Sequence, residues 1–235
     1  MENSFGDVWR EVLSVQPAPD QWIVVAAAAV ALAAVLIGPP WRVARNVVTI
    51  AHEGGHALVA LLSGRQLTAI RLHSDTSGVT VSRGKPTGIG MVLTVFAGYV
   101  SPSVVGLLGI LMLMADRITA LLWLSIAVLG LMLLMIRNLY GVLSIVATGA
   151  VVFCVSWFTP PDIQAAFAYL FIWFLLFAGI RPVIELQSQR LRQPSPHSDA
   201  DQLARLTGVP GTLWVVVFGA VTLAVTCLGV WLLLL

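Results

Sequence analysis

Charge is what this chain has least of. Only 10% of its 235 residues are Asp, Glu, Lys or Arg, against 58% hydrophobic residues and a mean hydropathy of +0.93. Soluble domains carry about a quarter charged residues, so the balance excludes an ordinary soluble globule and indicates a chain whose solvent is the lipid bilayer. The net charge of +2 is small and dispersed, which argues against nucleic acid as a partner. Cysteine is nearly absent. Cys154 and Cys227 each lie inside an apolar run and read as small buried hydrophobes, not as a disulfide or metal pair. The first twenty residues lack the basic start and short apolar core of a cleaved signal peptide, so the first apolar segment reads as a retained span. Internal repeats are missing too, and without two matching halves a transporter or channel is a poor fit.

What is present is a succession of apolar runs near the length of a bilayer span, at residues 22–37, 43–62, 88–114, 118–136, 139–158, 163–180 and 212–235. The expected fold is an all-α polytopic membrane protein of about six to seven transmembrane helices, forming a single domain over residues 1–235. Ser101-Pro102-Ser103 predicts a kink or break in the third run. Trp22, Trp41, Trp123, Trp157 and Trp214 stand near segment ends, where an interfacial aromatic belt belongs. Two stretches are not spans. Residues 66–84 place Ile70 and Leu72, then Val79 and Val81, in alternation about the turn-rich Ser74-Asp75-Thr76-Ser77, which predicts a β-hairpin. Residues 181–211 form a polar connection. With seven spans, ten of the thirteen Lys and Arg residues fall on the side of the hairpin and this connection; only Arg42, Arg45 and Arg117 fall opposite. The positive-inside rule then places the hairpin and the 181–211 loop in the cytoplasm.

The densest chemistry is His52-Glu53-Gly54-Gly55-His56, inside the second apolar run. Residues four apart share a helix face, so His52 and His56 can offer two imidazoles to one metal ion, with Glu53 about 100° round the helix as a general base for water. Zinc suits two nitrogens and a carboxylate with a fourth position open. A self-satisfied polar knot between helices is the plainer reading, but three ionisable groups in a membrane segment are costly and mark function by default. The third ligand falls most naturally in His197-Ser198-Asp199-Ala200-Asp201. Ser198 and Asp201 have capping-box spacing, which gives Asp201 a structural role and leaves Asp199 free to turn toward a cation; Asp201 and His197 are the alternatives. Glu185 reads as a solvated residue and His73 as a turn residue. Asn138, Tyr140 or a backbone N–H are candidates for stabilising an oxyanion.

Taken together, the His52-to-His56 motif, the hairpin after it, the segment from Ala97-Gly98-Tyr99 to Pro102, and Ser198-Asp199-Ala200 before the last span resemble the site-2-protease-like membrane zinc metallopeptidases. The closest likeness is to the compact bacterial branch without a PDZ domain, over residues 43–215. The resemblance implies zinc held by His52, His56 and a downstream aspartate that maps to Asp199, with Glu53 as general base. It also implies a bacterial plasma-membrane location and substrates that are transmembrane segments, cut by regulated intramembrane proteolysis. In one respect the chain departs from the family: Ser198-Asp199-Ala200 stands where better-known members carry Leu-Asp-Gly. That departure motivates the alternative of an inactive pseudoprotease or scaffold that binds single-span membrane proteins.

Overall fold

The computed structural model describes residues 6, 10, 12, 14–192 and 198–234. Helix α1 (Gln21–Leu36) gives way to α2 (Gly38–Leu62) at a bend of 99°. Pro39 and Pro40 explain the place of the break, because proline fits the first turn of a helix, where its missing N–H is not needed. A polar staple holds the bend. Arg181 donates to the Val35 carbonyl left free at the end of α1, and its guanidinium lies 4.7 Å from the centre of the Trp41 ring. Trp41 Nε1 donates to Glu185 Oε1 at 3.0 Å, while Arg45 and Arg181 pair with the same carboxylate at 3.2 and 3.1 Å. Trp41 is therefore buried rather than interfacial, and Glu185 is the centre of an ion-pair network rather than a solvated residue.

Among the described residues, four helical stretches are long and apolar enough to cross a membrane. They are α3 (Ile89–Met114), α5 (Leu139–Phe158), the rod Pro161–Arg192 and α9 (Gly211–Leu234). The rod comprises α6 (Pro161–Ala178) and α7 (Ile180–Arg192). The bent α1–α2 pair passes the same length and hydropathy test when taken together, which gives five if it counts as one span, and α4 (Ile118–Leu133) is apolar but shorter. The all-α polytopic class is as the hydropathy indicated. The count of six to seven is roughly in line with these stretches: it takes α1 and α2, the two arms of the bent pair, separately and includes the sixteen-residue α4, which rises about 24 Å. Helix α3 runs through Pro102 without breaking, with Ser103 Oγ donating to the Leu176 carbonyl of α6. The 181–211 connection is largely helical, made of α7 and the short α8 (Asp199–Thr207). Both cysteines face outward.

Strands β1 (Gln66–Leu72) and β2 (Gly78–Arg83) form the expected antiparallel hairpin. Ile70 and Leu72 are fully buried, but the alternation on β2 is inverted: Val79 and Val81 are exposed, and Gly78, Thr80 and Ser82 turn inward. Periodicity fixes which residues share a face, not which face is covered. The segment after α4 completes the other edge of β1. Ile70 N–H donates to the Met135 carbonyl at 2.8 Å, and Arg137 N–H donates to the Ile70 carbonyl at 3.0 Å. Asn138 continues the ladder with its side chain, accepting from Leu72 N–H at 3.2 Å and donating to the Leu72 carbonyl at 2.6 Å. Asn138→Ala would strip both Leu72 backbone groups of their partner. The expected outcome is a loss of about 1–3 kcal/mol of stability, read as a lower unfolding temperature in detergent and faster proteolysis within residues 66–84.

Candidate metal centre

Two helices from distant parts of the chain meet at His52 and His56. On α2 the spacing of four brings the imidazoles together in an edge-to-face pair with Nε2 atoms 3.0 Å apart. His56 is fixed by its other nitrogen: Nδ1 lies 2.7 Å from the Thr94 carbonyl of α3. A carbonyl only accepts, so Nδ1 carries the proton and Nε2 offers its lone pair inward. Tyr99 sets its ring edge-on to His52 at 4.8 Å and stacks on Phe218 of α9 at 5.0 Å.

Glycines let α3 come this close. At Gly98 a Cβ would stand 2.4 Å from His56 Nε2 and 2.7 Å from His52 Cε1. At Gly55 it would stand 1.8 Å from Ser101 Oγ. Gly55 in the motif is thus the contact point between α2 and α3, and Gly98 is the floor beneath the imidazoles.

Asp199 arrives from the other end of the chain. Ser198 caps α8, its Oγ accepting from Asp201 N–H at 3.3 Å, and Gly208 ends the helix in the left-handed conformation at φ 75°. Between these caps Ala200 and Leu203 are buried against Val95, Val183 and Phe218, which pins the helix to α3, α7 and α9. Asp201 is held at 2.8 Å by Arg190 of α7, which keeps its carboxyl below the usual carboxylate range. Asp199 Oδ2 is left facing the cluster, 3.3 Å from each Nε2.

These contacts lack hydrogen-bond geometry, and Asp199 Oδ2 is a buried acceptor with no donor. With the Nε2 atoms unprotonated, as metal ligation requires, the three atoms are acceptors that repel one another unless a cation sits among them. The point equidistant from the three atoms lies about 1.9 Å from each, close to the roughly 2.0–2.2 Å that zinc keeps from imidazole nitrogen and carboxylate oxygen. The donor set and its size fit zinc.

Glu53, next to His52, is 3% exposed, and its Oε2 accepts from Thr80 Oγ1 of β2 at 2.7 Å. Of the other candidates, Asp201 is committed to Arg190 and Ser198, His73 to the hairpin turn with Ser77, and Asn138 to Leu72. Tyr140 packs with the apolar residues beneath the hairpin, and His197 lies outside the described residues. Sequence reasoning missed Thr80 and the Thr94 carbonyl, and it named Gly98 only within the Ala97-to-Pro102 segment, without a role. Thr80 comes from β2 and Thr94 and Gly98 from α3, so no spacing within the His52-to-His56 motif points to them. A family model described as Peptidase M50B-like matches residues 25–229. No curated protein and no solved structure matches the chain.

Replacing Asp199 by Asn, or His56 by Ala, should abolish stoichiometric metal in the purified protein. Asp201→Asn should retain it, because that carboxylate braces α8 without facing the cluster. Metal analysis by mass spectrometry checks all three.

Proposed function

The chain belongs to the Peptidase M50B-like family, and from that premise we propose that this integral multi-pass membrane protein is a zinc-dependent endopeptidase cutting transmembrane or membrane-proximal segments of other proteins. The observation that carries the reading is the convergence of His52 Nε2, His56 Nε2 and the buried Asp199 Oδ2. His52, His56 and Asp199 would hold the ion, leaving a fourth position open. Zinc bound there would polarise the scissile carbonyl and make water nucleophilic near neutral pH. Glu53 takes the proton of the attacking water and returns it to the leaving amide nitrogen.

A helical substrate hides its carbonyls in its own hydrogen bonds and must unwind before it can be cut. The sheet offers a place for the unwound segment. Its β1 edge is covered by Met135–Arg137 residues, whereas β2 has no ladder partner on its outer side among the described residues. Pairing there would be β-augmentation within reach of Glu53. Basic residues support a cytoplasmic-facing site: Arg65, Arg71, Arg83 and Lys85 lie in and around the hairpin, and Arg190 and Arg205 flank Asp199. The Ser198-Asp199-Ala200 departure is compatible with hydrolysis, because Ser198 caps α8, Ala200 is buried and Asp199 still faces both imidazoles. That weakens the motive for an inactive scaffold.

Glu53→Gln, reconstituted in liposomes with a single-span substrate, should lower kcat by about 10²- to 10⁴-fold with metal content unchanged. Undiminished cleavage would remove Glu53 from the role of base.

A further inference from the structure

The geometry points to Thr80 as a positioning residue for the reaction: its hydroxyl holds Glu53 Oε2, leaving Oε1 free for proton transfer beside the space that Gly78 keeps open. The inference rests on the hydrolytic reading above and adds to it how the base is aimed.

A carboxylate on an apolar helix, nearly sealed from solvent, needs a donor. Among the described residues the hydrogen bond to the Glu53 carboxylate comes from Thr80 Oγ1, at 2.7 Å to Oε2. The same hydroxyl lies 3.1 Å from the Glu53 backbone carbonyl, but it has one hydrogen, and the shorter, charge-assisted contact takes it. Among the described residues no hydrogen bond to Oε1 is seen. On that side lies Gly78, where a Cβ would stand 2.5 Å from Oε1 and 2.6 Å from Glu53 Cγ. Any side chain there would drive the carboxylate away.

The inverted alternation of β2 has its reason here. Its inward face must supply a hydroxyl and a gap, so the valines go outward. The turn leading into the strand is tied to α2 independently, by Thr49 Oγ1 donating to the Thr76 carbonyl at 2.8 Å, four residues before Thr80. A glutamate side chain has three rotatable bonds, and one anchored oxygen sets the direction of the other, where a misplacement of about 1 Å can cost about 10²-fold in rate.

Three variants and two readouts test this. Thr80→Val keeps shape and removes the donor. It should lower kcat about 10- to 100-fold with KM within about twofold and metal content unchanged, and Thr80→Ser should restore kcat. Gly78→Ala should lower kcat through displacement of the carboxylate. The second readout needs neither metal nor turnover: carbodiimide labelling of Glu53 in the metal-free protein, mapped by peptide mass spectrometry, should rise severalfold in Thr80→Val and return to the wild-type level in Thr80→Ser. Wild-type labelling in Thr80→Val, or failure of serine to restore it, overturns the assignment. So does a Gly78→Ala protein with undiminished kcat. A wild-type protein that never cleaves would sink the hydrolytic reading, while the labelling comparison would still decide whether Thr80 holds Glu53.

Discussion

Everything at the centre of this molecule depends on three ligand-type atoms, brought from distant parts of the chain, meeting at one half-buried point. Two imidazole nitrogens and a carboxylate oxygen within 3.0–3.3 Å are an unfavourable arrangement without positive charge among them. The surrounding structure enforces it from several directions. The Thr94 carbonyl turns one imidazole, Gly55 and Gly98 allow α3 to press against α2, and a capped short helix presents Asp199. The apolar bundle contributes rigidity to this arrangement rather than chemistry.

The hairpin is the second organising constraint, and it serves two sides at once. On its covered edge the residues after α4 and the Asn138 amide continue the ladder, so the sheet is tied to the bundle. On its inner face β2 sets Thr80 and Gly78 against the Glu53 carboxylate, leaving its outer edge and its valines uncovered. One small sheet thus links the apolar bundle to the only acidic side chain in the His-Glu motif.

Much of this was legible in the sequence. Hydropathy gives the class, the four-residue histidine spacing gives two inward nitrogens on one face, and the capping chemistry of Ser198 and Asp201 separates the structural aspartate from Asp199. The illegible parts share a cause. Apolar runs report solubility in lipid, not whether a helix crosses it, so the bend at Gly38 and the shortness of α4 were hidden. Strand periodicity is symmetric between faces, so the outward valines could not be foreseen. Trp41 and Glu185 look like an interfacial ring and a solvated acid, because their partners, Arg45 and Arg181, stand 136 residues apart in the chain. Asn138 was a candidate for chemistry for the same reason: the Leu72 groups that occupy it lie 66 positions upstream.

The distance along the chain between the paired histidines and Asp199 bears on biogenesis. During synthesis the first two donors enter the bilayer long before the third leaves the ribosome. A nascent chain therefore has an incomplete cluster, two imidazoles without the carboxylate. The cluster is complete only when the C-terminal quarter has been made and has folded back. An ion bound there would close a long loop and favour the finished topology over partly inserted forms. The late aspartate thus leaves half-built copies without the complete three-atom cluster.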